Sequence, residues 1–535
     1  MVSLSYRGAI ATAAVGGLVL LPIAIHLSRS SRRLSVDEKQ QKKRSNSTGG
    51  RRERRRAARL RSTLPVLENT LDLVRAAGSV HDWMAGACRH FRGRPFVMKA
   101  FGLPDMLVVC TPQAFEDVLK TQFQNFPKGP FMCENMRDLL GEGIFAVDGG
   151  QWMHQRGIAS SLFGMRELRD CMTNAIGRHT VALHDILKRA SANNETVDLF
   201  KLFNRFSTQA FAEISVGIQM DCLNSDTDHP FQTAFDRAQR SIAQRFVRPR
   251  WFWKTQRWLG VGLEGQLQRD IKLIDATVLG IVQKVLAQRT ATETKDDTHN
   301  DILSLFLNNI SKSPDAQEQE YDPIYLRDIV VNFLVAGRDT TAQALSWFFY
   351  NVSQNPRIEA KIRKEIYKKL PELMESECTI PTLRQANKLV YLEAAIKETL
   401  RLYPSMPMSP KYVVRDTVLS DGTFVAANSM VCLPTYAMGR MPHVWGPDAA
   451  EFKPERWIDP STRKIKSVSA YRFVAFNAGP RMCVGMTLAG LEMKLVAAAL
   501  LSKFHIHVEK PEDVTYDFSL TLPMKNAMSV TLACA

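Results

Sequence analysis

The chain has 535 residues, enough for one large domain or several ordinary ones, and 45% of them are hydrophobic, which excludes global disorder. Nine cysteines, a sparse and odd number, exclude a small disulfide scaffold and point to a reducing compartment. The formal net charge of +16 suggests a nucleic-acid partner only until it is located: residues 1–28 carry +1, residues 29–61 carry +11 and the remainder carries +4.

In chain order, the first element is GAIATAAVGGLVLLPIAIHL, Gly8 to Leu27, which has no formal charge. At about 1.5 Å per residue it spans about 30 Å, one hydrocarbon core, so residues 1–28 read as a signal-anchor transmembrane helix. The basic cluster just downstream puts the N-terminus in the lumen and the rest in the cytosol. Residues 29–61 then form a juxtamembrane linker. It is either a solvated spacer carrying topology information or an electrostatic clamp on anionic lipid, worth about 1 kcal/mol per charge near the surface. The linker has no aromatic residue to interleave with bases, so nucleic acid is not the expected partner.

From residue 62 to 535 the composition is even, with no repeat and no Gly/Ser linker, and reads as one catalytic domain of mainly α class with small β-sheets. Trp152 and Arg156 in GQWMHQR are four apart and share a helix face. Residues 260–265 match G-x-G-x-x-G, but they follow FWKTQRW rather than a buried strand and read as a loop between helices. Residues 326–356 are too long and too apolar for a strand and predict a buried central helix ended by Asn355-Pro356. Helices follow over 357–370 and 386–402, the latter carrying Glu398 and Arg401. They share a helix face, and Arg456 in FKPERW is positioned to close a buried network with them. Prolines 404, 407 and 410 and short β-like pieces around Asp421-Gly422 come next. Residues 484–503 predict another buried helix, and SLTLPMKNAMSVTLAC at the C-terminus alternates as a hairpin would.

The segment FNAGPRMCVG, Phe476 to Gly485, combines Phe476, Gly479, Arg481, Cys483 and Gly485. It resembles the haem-binding loop of the cytochrome P-450 family. NTLDL (69–73), NFPKGP (125–130), GEGIFAVDGGQW (141–152), RFVRPRWFWK (245–254), AGRDTTA (336–342), GRMPHVWG (439–446) and SLTLPMKNAM (519–528) resemble the fatty-acid omega-hydroxylase branch of that family.

The resemblance implies a cytochrome P-450 fold holding haem b without a covalent link, Cys483 being the thiolate ligand of the iron. Such a ligand pushes electron density toward the metal and favours O–O cleavage. Gly479 and Gly485 would permit turns that bring amide N–H groups to the sulfur, Phe476 would shield it, and Arg481 would meet a propionate. Trp152, Arg156 and Lys411 are further propionate partners by resemblance. Ala336 to Thr341 resembles the oxygen-activating motif. The Thr340 hydroxyl can compete for the Ala336 carbonyl and open a local distortion, Gly337 would leave space beside the iron, and Asp339 with Thr340 would form an acid–alcohol proton relay. Glu398, Arg401 and Arg456 are structural by the same resemblance.

Substrate contacts by analogy are Val335, Ala336, Met406, Met408, Leu520, Thr521 and Leu522, mostly apolar as a lipid chain requires. O₂ is the implied co-substrate, and an NADPH–haemoprotein reductase at the endoplasmic reticulum membrane is the implied electron donor. Position 336 is Ala where some animal fatty-acid hydroxylases carry a haem-esterifying Glu, and an unusually long basic linker replaces the usual proline-rich hinge. Two alternatives stay open: oxygen-independent rearrangement of a lipid hydroperoxide, and a non-enzymatic anchored scaffold.

Overall fold

The computed structural model describes residues 56–534 apart from 226, 292–300, 311–321 and 376–378. The expected anchor over 1–28 and most of the basic stretch lie outside the described residues. No helix among the described residues is long and apolar enough to cross a membrane.

Helices dominate, as composition and periodicity predict. Those that build the site are α1 (Val80–His90), α2 (Gly129–Leu140), α3 (Gly149–Gly164), α4 (Arg166–Ala192), α5 (Leu199–Val216), α6 (Pro230–Arg245), α7 (Arg250–Leu259), α8 (Gly262–Ala291), α9 (Pro323–Leu334), α10 (Thr340–Ser353), α11 (Pro356–Lys369), α12 (Val390–Leu402) and α13 (Met486–Leu501). Of residues 260–265, expected as a loop between helices, only Gly260 and Val261 lie between α7 and α8, and Gly262–Gly265 open α8.

The central helix begins at Pro323, where Asp322 caps it by accepting from the Ile324 N–H at 3.0 Å. It continues as α9, a π turn over Val335–Asp339, and α10, and ends at Ser353, just before Asn355-Pro356. Most of its apolar side chains beyond the first turn are buried. Trp347 stacks on Tyr403 with ring centroids 4.2 Å apart, and Phe349 stacks on Phe203 of α5 at 5.4 Å. α13 is likewise buried along nearly its whole C-terminal half.

Three small sheets flank the helices. The largest runs β1-β2-β3-β8-β5, built from Ala58–Arg59, Phe96–Met98, Met106–Val108, Met430–Leu433 and Ser409–Tyr412. Its β1 pairs parallel with β2, so the folded unit takes in the last residues of the basic stretch as an edge strand. In β5 the antiparallel register sets Lys411 opposite Val431 and turns Lys411 inward. The short β-like pieces expected around Asp421-Gly422 pair as a small antiparallel hairpin, β6-β7 (Thr417–Val418 and Phe424–Val425).

The C-terminus departs from the expected hairpin. β10 (Ser529–Cys534) pairs antiparallel with β9 (Phe504–Val508) and, on its other side, with β4 (Val197–Asp198). Residues 519–528 are a loop with one antiparallel bridge, Met524 to Tyr516. Thr521 accepts from Gln343 Nε2 at 2.7 Å, and the Leu522 carbonyl accepts from Trp347 Nε1 at 3.0 Å, so tertiary hydrogen bonds to α10 replace a ladder there.

Candidate active site

The loop before α13 is closed on itself: the Cys483 N–H donates to the Phe476 carbonyl at 2.9 Å. Gly479 has φ of +65°, and a Cβ there would land on the Leu119 carbonyl oxygen, so the turn requires glycine for conformation and for space. Gly485 donates its N–H to the Cys483 sulfur and is the N-cap of α13, so both an amide and a helix N-terminus face the thiol. Its φ is −84°, so Gly485 serves by closeness, with Phe163 against it, and not by a left-handed backbone. Burial pushes the Cys483 thiol up; the Gly485 N–H and the Arg156 charge oppose that and favour the thiolate.

The π turn carries the second cluster. Thr340 Oγ1 donates to the Ala336 carbonyl at 2.6 Å, four residues back, where the regular ladder is displaced. Gly337 does not face open space: a Cβ there would collide with the Phe211 ring of α5, so this glycine admits α5 against the turn. Asp339 is buried, with Oδ1 accepting from Arg338 Nη1 at 2.8 Å and Oδ2 accepting from Gln239 Nε2 at 2.7 Å. Arg338 is fully buried and also donates to Thr208 and Asp236, each at 2.8 Å. Burial, opposed by Arg338, raises Asp339 to about 6.

The third cluster is cationic. Arg481 lies over the Trp152 ring at 4.3 Å and pairs with Asp148, the residue before α3, whose carboxylate also accepts from the Lys128 N–H at 3.1 Å and the Gly129 N–H at 2.8 Å. Arg481 Nε is buried without an acceptor. Lys411 is buried beside it, and burial and the Arg481 charge lower it to about 8. Lys128 is lowered too, by burial and by the same two cations. Arg156 is half-buried, within electrostatic reach of Cys483.

The family profile of the cytochromes P450 matches residues 60–529, a span that holds all three clusters. The chain belongs to the cytochrome P450 family. It is 38% identical over 428 residues to cytochrome P450 704C1 of Pinus taeda, covering 77% of this chain and 81% of that one. It is 34% identical over 465 residues to cytochrome P450 86B1 of Arabidopsis thaliana (85% and 82%) and 31% identical over 430 residues to the alkane hydroxylase MAH1 of the same plant (80% and 84%).

The residues of this cytochrome P450 suit a haem on their own chemistry. A thiol beside an amide donor, a helix N-terminus and an arginine is a soft ligand whose anionic form those neighbours favour against burial. A buried lysine and an arginine with an idle Nε form a donor set short of acceptors, which two propionates would supply. Cys483 would hold the iron, and Arg481 and Lys411 with Trp152 and Arg156 would hold the carboxylates. The chemistry such a group supplies when bound is reductive activation of O₂.

Glu398, Arg401 and Arg456 do form one buried network. The Glu398 carboxylate accepts from Arg401 Nε and Nη2 at 2.8 Å each, from Arg456 Nε at 3.3 Å, from the Lys453 N–H at 2.9 Å and from Trp457 Nε1 at 2.9 Å. The small apolar cluster of Ala394, Trp445, Ala449 and Trp457 encloses it.

The substrate candidates divide. Val335, Ala336, Met408 and Leu520 are half-buried, Met406 is exposed, and Thr521 and Leu522 are buried and engaged with α10. Sequence reasoning missed Asp148, Arg338, Asp236 and Gln239. The first two stand inside the motifs DGGQW and AGRDTT; the last two had no local signal, because their role comes from the packing of α6.

Proposed function

We propose that this cytochrome P450 hydroxylates fatty acids at or near the terminal carbon. Electrons come from NADPH through a separate reductase, and residues 1–28 anchor a cytosolic catalytic domain, residues 62–535, to the endoplasmic reticulum membrane, with the basic stretch 29–61 beside anionic lipid. The observation that carries the reading is the Thr340 hydroxyl on the Ala336 carbonyl in a π turn, with a buried carboxylic acid next to it. A proton-handling pair suits O₂ chemistry; rearrangement of a hydroperoxide has no need of it. The likeness to a protein named as an alkane hydroxylase supports an unactivated C–H bond as the target, and the branch resemblance supports a fatty acid.

The chain's own residues contribute as follows. Val335, Ala336, Met408 and Leu520 offer apolar contacts that orient an alkyl chain and exclude water. Thr340 holds a proton at Oγ1 beside the distorted helix, and Asp339 is the acid that resupplies it. Gly485 and Arg156 favour the Cys483 thiolate against the upward push of burial.

The test is a panel of fatty acids given to the full chain with NADPH and a reductase, with hydroxyl positions read by mass spectrometry. The expected product is a terminal or near-terminal alcohol carrying oxygen from labelled O₂. Turnover of a lipid hydroperoxide without NADPH, and no alcohol from any fatty acid, would overturn the reading.

A further inference from the structure

The acid beside Thr340 is gripped from a neighbouring helix. Phe235, Asp236 and Gln239 lie on one face of α6. The Phe235 ring sits under the Arg338 guanidinium at 5.3 Å, Asp236 accepts from Arg338 Nη2 at 2.8 Å, and Gln239 Nε2 donates to Asp339 Oδ2 at 2.7 Å. With Arg338 Nη1 on Oδ1, both oxygens of Asp339 are engaged. Thr340, meanwhile, is turned to the Ala336 carbonyl. Neither member of the acid–alcohol pair is bonded to the other.

A second observation concerns the other end of the same amide. Gln239 Oε1 is buried and has no hydrogen-bond partner. A primary amide carries donors on one side and an acceptor on the other. Nε2 against Asp339 serves an ionised carboxylate. Turned by half a revolution, Oε1 would meet Asp339 Oδ2, which is favourable only when that oxygen carries a proton to donate. Both states of the acid are therefore satisfied by one side chain, the ionised one more strongly because its bond is charge-assisted, and the idle Oε1 is what the ionised state leaves over.

We propose that Gln239 is a positioning residue of the proton path: it holds the Asp339 carboxyl in either protonation state, away from Thr340. This rests on the monooxygenase reading of the Asp339–Thr340 pair and extends it to a second helix. The proton enters from solvent on the side of Asp236, whose side chain is 37% exposed, and binds Asp339. It leaves for the Thr340 hydroxyl when the carboxyl swings free, and Thr340 passes its own proton on.

The charged and titratable groups facing Asp339 are Arg338 on its own helix and Asp236 on α6, with Cys222 acting on Arg338. Burial and Asp236 raise the acid, while Arg338 and Gln239 oppose them. Removing Gln239 and removing the Asp236 charge must therefore move Asp339 in opposite directions, a result that loss of packing alone does not produce.

The experiment is an infrared titration of the Asp339 carboxyl in the haem-loaded full chain without substrate, assigned by difference against Asp339→Asn. In Gln239→Leu the acid should bind its proton about tenfold more tightly, and in Asp236→Asn about tenfold more weakly. In Gln239→Leu the pH profile of product formed per NADPH consumed should move in the same direction as the titration. An Asp339 titration unmoved by Gln239→Leu, or shifted the same way by both variants, would overturn the proposal. Because the titration needs no substrate, it stands or falls apart from the fatty-acid assignment.

Discussion

Replacing Glu398 by Gln tests whether the buried network of α12 is structural. The substitution keeps volume, so no cavity enters the result. It removes the only carboxylate that Arg401 contacts among the described residues, while both side chains are almost wholly inaccessible. Five donors converge on the two oxygens of Glu398: two from Arg401 and one each from Arg456, Lys453 and Trp457. An amide offers one oxygen and turns its own N–H groups toward the rest. Leaving a buried arginine without its counter-charge costs about 3–5 kcal/mol.

Against a total stability of about 5–15 kcal/mol, that is a large fraction. With a urea slope of several kcal/mol/M for a chain of this size, the unfolding midpoint should fall by about 1 M, followed by tryptophan fluorescence together with the thiolate-type absorbance of the loaded protein. Replacing Glu398 and Arg401 together by Leu should not restore stability. Arg401 also donates to the carbonyls of Gly439, Ala449 and Glu451, and these three would be stranded. A loss under about 1 kcal/mol in the single variant, or full recovery in the double, would refute the reasoning.

Three further outcomes are expected. Gly337→Ala should displace α5 from the π turn and lower thermal stability, and adding Phe211→Leu should recover much of the loss, because the collision is with that ring; calorimetry of both variants decides it. Glu492 is buried, has an unpartnered Oε1 and is raised by burial to about 8. The native state therefore keeps a proton that the unfolded chain releases above about pH 4.3. Its contribution is present in full at acid pH and falls as pH rises toward 8, by at most on the order of 5 kcal/mol, so Glu492→Gln should flatten the decline of the urea midpoint between pH 5 and pH 8. Lys411→Met should speed haem transfer to an acceptor globin several-fold while leaving the thiolate-type spectrum in place, if Lys411, which lies with Arg481 and Asp148, holds a propionate.

The fold class was legible because long apolar segments leave few choices. The central helix and α13 are apolar around most of their circumference and could only be interior. The cysteine loop was legible because Phe476, Gly479, Cys483 and Gly485 constrain one another within ten residues. The C-terminal hairpin was only partly there: within the segment Met524 makes a single antiparallel bridge, to Tyr516, and Ser529–Cys534 pairs with β9 and β4 instead. Gln343 and Trp347, far off in sequence, satisfy the Leu522 backbone. Gly337 was assigned to the wrong neighbour for a similar reason: a missing side chain says that something approaches, not what.

The acid–alcohol pair shows where a motif stops informing. Asp339 and Thr340 are adjacent in sequence, and adjacent residues on a helix point about 100° apart. A π turn alters that angle locally but does not bring the two side chains onto one face. The alcohol stays with its own helix, on the Ala336 carbonyl, while the acid turns to α6 and α5 through Gln239, Arg338, Asp236 and Thr208. Each member thus answers to a different part of the protein. Thr340 answers to the distortion of the central helix, which local sequence dictates; Asp339 answers to the position of α6. A proton path made this way conducts only when both conditions hold, so substitutions on α6 that touch neither haem nor substrate should alter how completely consumed NADPH appears as hydroxylated product.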